Sequence, residues 1–208
     1  MTKKKQVQVI SDKKIMGLDG HYAVDFHISI IGTDPLVWRK VRLSNHMTLN
    51  DLHWAIQGAF GWENAHLHAF YVNTGRISGN EMDDLDDPDG DENTDSNGIS
   101  IHDLIEQREK KFTYEYDFGD SWHHEIKIVG TEPLETPMKV PECIDGERCC
   151  PPEDCGGVWG FENFLEVMAD PSHEEYADMK DWYGRRFNAE KFSIADANKE
   201  IKSFLRHA

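Results

Sequence analysis

Apolar and polar side chains alternate along four segments of the chain, the period expected of β-strands. Turn-forming glycine, proline and aspartate separate the first two segments, so we expect them to form a hairpin. The last segment contains Gly119 and Asp120 near its middle and predicts a second hairpin. The four segments are residues 22–31, 37–43, 66–72 and 112–129.

Other apolar residues recur at helical spacing. The clearest run follows Thr48 and Asp51, which resemble a capping box, and should end near Gly61. A short helix is predicted over residues 99–108, and the C-terminal third shows three more helical patterns, which start near Phe161, Ser172 and Ser193. The combined pattern predicts an α+β fold: a mostly antiparallel sheet with helices packed on one face and a helical C-terminal third.

Composition supports a folded, soluble chain. Of its 208 residues, 38% are hydrophobic, which is too many for a disordered protein. We expect residues 1–20 to be an N-terminal extension and residues 21–208 to form a single domain. No segment is apolar enough for a membrane helix, and the lysine-rich N-terminus does not resemble a signal peptide, so we expect a cytoplasmic protein without membrane partners.

The charge is strongly negative and unevenly distributed. The formal net charge is −17, which makes nonspecific nucleic-acid binding improbable because each phosphate contact needs a cation. Nine acidic residues and no Lys or Arg lie between Glu81 and Asp95. We expect residues 79–98 to be an exposed acidic loop; its spacing does not match a calcium-binding hand loop.

All four cysteines lie in a proline-rich stretch that we expect to lack regular structure: Cys143, Cys149, Cys150 and Cys155. A disulfide framework is improbable in a chain without a secretory signal. Reduced structural thiols and a zinc site both remain open, although the Cys-x-x-Cys pairs of common zinc motifs are missing. A fourth zinc ligand from outside the stretch would come first from His123 or His124.

The tip of the second hairpin concentrates polar and aromatic residues that could do chemistry. If it met the proline-rich stretch, carboxylates and a histidine would converge, as general acid/base catalysis requires. The same residues could instead cap turns, and His53 and His124 could be core histidines. His66 and His68 share one strand face, a spacing compatible with metal binding or with a solvated surface. The candidate binding residues are Trp38, His53, Trp62, Asp117, Asp120, Trp122, His124, Glu153 and Asp154.

Two blocks of sequence carry a family resemblance. Residues 114–122 read Tyr-Glu-Tyr-Asp-Phe-Gly-Asp-Ser-Trp, and residues 150–157 read Cys-Pro-Pro-Glu-Asp-Cys-Gly-Gly. With residues 38–41, 49–62 and 66–70, they resemble the Ri-plasmid ORF-three-like family, some members of which are labelled transposon-passenger TnpR-like. The resemblance runs from about Tyr22 to the C-terminus.

The resemblance implies an α+β domain but no established activity. It also implies that Cys143, Cys150 and Cys155 belong to the family pattern, whereas Cys149 is more specific to this sequence. The three family cysteines are the candidate zinc ligands. A resolvase role fits poorly, because a serine recombinase needs clustered arginines and a basic DNA-binding module. The chain has only 22 basic residues and no evident basic helix-turn-helix.

Three functions therefore compete. The first is a non-catalytic binding or accessory module whose groove is lined by Trp38, Trp62, Trp122 and the tip of the second hairpin, with an unknown protein or small molecule as its partner. The second is a metal-dependent hydrolase that uses the hairpin tip and the cysteine stretch. The third, which rests on the family label alone, is a DNA-related accessory of mobile elements. We favour the first.

Overall fold

The structure, a computed structural model, describes residues 20–78, 94–184 and 186–206. Most of the predicted N-terminal extension and most of the predicted acidic loop lie outside these described residues.

An eight-stranded sheet organises the described chain. Its strand order is β5-β4-β3-β6-β7-β1-β2-β8, and every neighbouring pair is antiparallel except β4 and β5, which are parallel. The strands are β1 (Tyr22–Ile30), β2 (Trp38–Ser44), β3 (His68–Val72), β4 (Gly75–Ser78), β5 (Thr94–Asp95), β6 (Lys111–Tyr116), β7 (Trp122–Pro133) and β8 (Glu142–Glu147). Both predicted hairpins are present.

The helices agree with the predicted α+β class. They are α1 (Leu49–Phe60), α2 (Ile101–Glu106), α3 (Gly157–Ala169), α4 (Tyr176–Tyr183) and α5 (Ile194–Phe204). The predicted capping box at Thr48 and Asp51 is formed, and Gly61 ends α1 in a left-handed conformation. Within the described ranges, no helix combines the length and the apolar character that a bilayer crossing requires.

Two local predictions were wrong. The cysteine-bearing stretch contains a regular strand, β8, which pairs with β2 at the sheet edge. Its exposed and buried residues do not follow an apolar alternation, so periodicity could not reveal it. Ser172 does not open α4, because its hydroxyl bonds Asp170 and the helix starts at Tyr176 without a side-chain cap.

The centre of the sheet is buried on both faces. Val24, Phe26 and Ile28 of β1 are fully buried in the core. On the opposite face, Asp25 forms ion pairs with Lys40 and Arg42 of β2, so side chains of the neighbouring strand cover it. Ion pairing with the two cations also lowers the pKa of Asp25, which keeps that carboxylate charged despite its burial.

Helices α1 and α5 approach each other closely at Gly58. A Cβ placed on Gly58 would lie 2.4 Å from the backbone nitrogen of Ile201. Because the near neighbour is backbone and not the end of a flexible side chain, only glycine fits at this position. The contact anchors the C-terminal helix, and with it Ile201, against the core.

We expect Gly58→Ala to lower the free energy of unfolding by about 1–3 kcal/mol, since the added methyl forces α1 and α5 apart. This loss opposes the intrinsic helix preference for alanine, worth about 1 kcal/mol. Denaturant unfolding would measure the net change in the free energy of unfolding. The control is Gly98→Ala, whose Cβ would meet nothing within 4 Å. A Gly58→Ala protein as stable as the wild type would contradict this packing.

Candidate functional site

The hairpin tip and the cysteine-bearing loop lie against each other. We call residues 117–122 the hairpin tip and residues 149–157 the cysteine loop. Asp120 Oδ2 accepts a hydrogen bond from the Gly156 backbone nitrogen at 3.0 Å. Gly157 has φ +67°, and a Cβ there would lie 2.7 Å from the Asp120 carbonyl oxygen. The two segments that the sequence singled out therefore form one junction.

Arg39 of β2 holds the start of the cysteine loop in place. Its side chain is 2% exposed and donates hydrogen bonds to the carbonyl oxygens of Glu147, Arg148 and Ala59. Burial lowers the pKa of the guanidinium. Because the acceptors include backbone carbonyls at the end of β8, this buried cation ties the edge strand to the core.

Glu153 connects the cysteine loop to a third segment, the chain after α1. Its Oε1 accepts hydrogen bonds from the Glu63 backbone nitrogen at 2.7 Å and from the Tyr116 hydroxyl at 3.0 Å. Its Oε2 is shielded from solvent and has no hydrogen-bond partner. Burial raises the pKa of this carboxyl group.

A cluster of one imidazole and three carboxylates occupies the junction. His66 Nε2 lies 3.1 Å from Asp154 Oδ1, 3.8 Å from Asp117 Oδ2 and 3.8 Å from Glu153 Oε2. Asp117 and Asp154 both adopt left-handed backbone conformations, with φ +57° and +55°. Such conformations are uncommon outside glycine, and aspartate is among the residues that tolerate them. We call these four residues the His66 cluster.

Two clefts open on either side of the cluster. The hairpin cleft, about 470 Å³, is lined by Asn64, Ala65, His66, Leu67, His68, Asp117, Phe118 and Gly119. The α3–α4 cleft, about 380 Å³, is lined by Asp154, Cys155, Gly160, Asn163, Phe164, Glu175, Asp178, Met179 and Trp182. Since Asp154 belongs to the cluster and also lines the second cleft, the two clefts are neighbours.

The tryptophans do not line a common groove. Trp62 and Trp122 are 2% and 0% exposed, and their rings lie 5.5 Å apart in the core. Trp38 lies on the opposite sheet face, stacked on His27 at 5.0 Å. The structure thus separates Trp38 from the junction and removes Trp62 and Trp122 from any surface.

The candidate histidines His53 and His124 are also core residues. His53 bonds the Tyr114 hydroxyl through Nδ1 and Asn64 Oδ1 through Nε2. His124 donates from Nδ1 to the Trp122 carbonyl oxygen and accepts from the Trp62 indole through Nε2. Burial lowers the pKa of His124 to about 4. Both histidines have partners on each ring nitrogen, so neither is available to a substrate.

The cysteine sulfurs are not gathered as metal ligands. In the part of the chain that the structure describes, the one group of three His, Cys, Asp or Glu ligand atoms within 4.8 Å of one another belongs to His66, Asp117 and Asp154. Burial raises the pKa of Cys143 to about 11 and of Cys155 to about 12, which disfavours the thiolate form that a metal ligand requires. Zinc ligation by Cys143, Cys150 and Cys155 has no support in this arrangement.

Of the predicted binding residues, Asp117, Asp120, Glu153 and Asp154 do meet at the junction. His66 joins them, although its strand spacing alone does not distinguish a ligand from a surface histidine. Trp182 was missed, because a tryptophan on a predicted helix carries no signal for a cleft. The places of His66 in the cluster and of Trp182 at the cleft both depend on contacts between segments far apart in the chain.

We expect acid to destabilise the protein through His124. Its pKa is about 4 when folded and about 6.5 when unfolded, so only the unfolded chain gains a proton as the pH falls from 6.5 to 4. This uptake should remove about 3 kcal/mol of stability over that window. Urea unfolding of wild type and His124→Gln at several pH values would measure the difference in slope. Exposed His46→Gln is the control; parallel profiles for wild type and His124→Gln would contradict the prediction.

We expect Gly157→Ala to separate the hairpin tip from the cysteine loop. The added Cβ would lie 2.7 Å from the Asp120 carbonyl oxygen, and φ +67° disfavours any residue with a Cβ by about 1–2 kcal/mol. We expect the free energy of unfolding to fall by a total of about 2 kcal/mol or more. Thermal unfolding would measure it, with Gly61→Ala as the control, because Gly61 has a similar left-handed φ of +84° but no atom within 4 Å of its Cβ. A loss equal to that of the control would argue against the close contact.

Comparison with known proteins identifies relatives but no activity. An uncharacterized protein of Sinorhizobium fredii, y4hQ, is 33% identical over 180 residues, which cover 86% of this chain and 90% of that protein. The crystal structure of MM3350, a protein of unknown function from Methanosarcina mazei Go1, matches with a TM-score of 0.73 and 34% identity over 85% of this chain and 97% of its own. The family model of plasmid pRiA4b ORF-3-like proteins matches residues 22–196, and the chain belongs to that family.

Proposed function

We propose that the protein is a small-ligand-binding module whose ligand carries a positive charge on an apolar stem. The observation that carries this proposal is the composition of the α3–α4 cleft. Three carboxylates line it, those of Asp154, Glu175 and Asp178, and no Lys or Arg does. A cation brought by the ligand would neutralise carboxylates that this lining leaves without a basic neighbour.

The wall of the cleft suits the apolar part of such a ligand. Phe164 and Met179 contribute apolar surface, and Trp182 stands 50% exposed at the rim. The Trp182 ring contacts Phe164 edge to face at 6.0 Å between centroids. An exposed indole face attracts organic cations, and a volume of about 380 Å³ falls in the usual range for small-molecule pockets. The same carboxylates repel phosphates, so we do not propose nucleic acid as the ligand.

The proposal predicts selective binding of a guanidinium. N-acetyl-arginine methylamide should bind in calorimetry, and N-acetyl-citrulline methylamide should bind at least tenfold more weakly, because it has the same stem without the charge. Glu175→Gln with Asp178→Asn should weaken arginine-derivative binding by a similar factor.

The matched control is Glu174→Gln, an exposed carboxylate next to Glu175 that lies outside the cleft lining. Its affinity for the arginine derivative should equal that of wild type. Equal binding of the two probes would exclude charge recognition. An equal loss in the control would show that only the overall negative charge of the protein attracts the probe.

A metal-dependent hydrolase is a second candidate, favoured by the His66 cluster at the junction. The sequence suggested His124 and the cysteines for this chemistry. The His66 cluster is a better candidate, because His124 is 0% exposed and burial raises the pKa of the Cys143 and Cys155 thiols. The candidate therefore depends on whether the His66 cluster holds an ion.

A further inference from the structure

Within the described residues, the His66 cluster contains the one group of three potential metal-ligand atoms that lie within 4.8 Å of one another. Asp117, Glu153 and Asp154 contribute three carboxylates, and the ion pairs they form in the described residues are all with His66. Lys and Arg side chains are missing from the lining of both adjoining clefts. Carboxylates held this close repel one another unless a cation lies between them.

The separations within the cluster suit one bound ion. Ligand atoms about 2.1 Å from a common metal lie about 3.0–3.5 Å from each other in octahedral or tetrahedral geometry. The separations from His66 Nε2 are 3.1 Å to Asp154 and 3.8 Å to Asp117, and the three ligand atoms all lie within 4.8 Å of one another. Binding of one ion therefore requires the side chains to move closer together by about 1 Å. The contact between His66 Nε2 and Asp154 Oδ1 does not have hydrogen-bond geometry, so a metal ion between the two atoms would not displace a hydrogen bond.

A second, independent feature of the same cleft also points to a ligand. His68 is 6% exposed, lines the hairpin cleft, and its Nε2 has no hydrogen-bond partner. Its ring stacks on His53 with centroids 3.7 Å apart, which fixes its orientation. Buried polar atoms are normally satisfied, and His68 lines the same cleft as His66 and Asp117, so its unpartnered Nε2 indicates that a ligand supplies the missing partner.

We propose that His66, Asp117 and Asp154 bind one divalent transition-metal ion at the head of the hairpin cleft. One imidazole and two carboxylates favour ions such as Mn²⁺, Co²⁺ or Zn²⁺ over Ca²⁺, which prefers oxygen ligands alone. Three protein ligands leave coordination positions open to water or a ligand in the cleft. His68 lines the hairpin cleft and Glu153 Oε2 lies 3.8 Å from His66 Nε2. The Nε2 of His68 and the Oε2 of Glu153 both lack a hydrogen-bond partner.

The substitutions that test this site can preserve the backbone. Asp117→Asn and Asp154→Asn keep the left-handed conformations, which asparagine also tolerates, and the amide oxygen introduced by Asp117→Asn can still accept from the Gly119 backbone nitrogen. Because the Asp154 side chain is 71% exposed, its substitution should leave folding intact. His66→Ala removes the single imidazole of the triad.

The experiment is titration of chelator-treated, full-length protein with Mn²⁺, followed by calorimetry and by electron paramagnetic resonance of free Mn²⁺. We expect one tight site per chain, and at least tenfold weaker binding in His66→Ala, Asp117→Asn and Asp154→Asn. The matched control is His123→Ala, an exposed histidine of the same hairpin whose imidazole lies 3.9 Å from the carboxylate of Glu115. It should bind as wild type does.

Three results would overturn the metal site: no stoichiometric Mn²⁺, Co²⁺ or Zn²⁺ binding by wild type, undiminished binding in Asp154→Asn, or an equal loss in His123→Ala. Binding that depends on the cysteines and not on His66 would also overturn it. Asp154 belongs to both proposed sites, but His66 and Asp117 lie outside the α3–α4 cleft, and Glu175 and Asp178 lie outside the cluster. The metal site and the cation-binding function can therefore fail separately.

Discussion

The contact between Asp120 and the Gly156-Gly157 pair is the constraint on which the site depends. A carboxylate accepts one backbone N–H, and the neighbouring glycine brings its Cα against the carbonyl oxygen of the same aspartate. Neither interaction is strong alone. Together they bring the tip of the central hairpin against a loop that leaves the sheet edge at β8.

The junction concentrates negative charge at one end of the sheet. Asp117 comes from the hairpin tip, whereas Glu153 and Asp154 come from the cysteine loop and His66 from the chain before β3. Burial of the Asp117 and Glu153 carboxylates costs free energy unless hydrogen bonds or cations compensate it. Hydrogen bonds satisfy one oxygen of Glu153, and its other oxygen remains unsatisfied. The proposed metal ion in one cleft and the proposed organic cation in the other would each neutralise part of this negative charge.

The aromatic residues show where sequence patterns are ambiguous. Trp62 follows the end of a predicted helix, and Trp122 lies in a predicted strand. Apolar periodicity indicates which face of an element turns inward, but it is the same whether that face packs in a core or lines a groove. The structure buries both, together with His124, beneath α1. Arg39 is the converse case: a charged residue within an alternating strand, buried because three carbonyl groups of other segments accept its hydrogen bonds.

Local patterns in the sequence are sufficient to predict the hairpins, the capped helix α1, the helical C-terminal third and the α+β class, because each depends on local periodicity and on turn or capping residues. The sequence also singles out Asp117, Asp120, Glu153 and Asp154 by their concentration in two short segments. The folded arrangement was needed to show that His66 joins them, that the cysteines do not form a ligand set, and that Trp182 borders a cleft. Those outcomes depend on distances between segments that are remote in the chain, and hydrophobic periodicity contains no information about such distances.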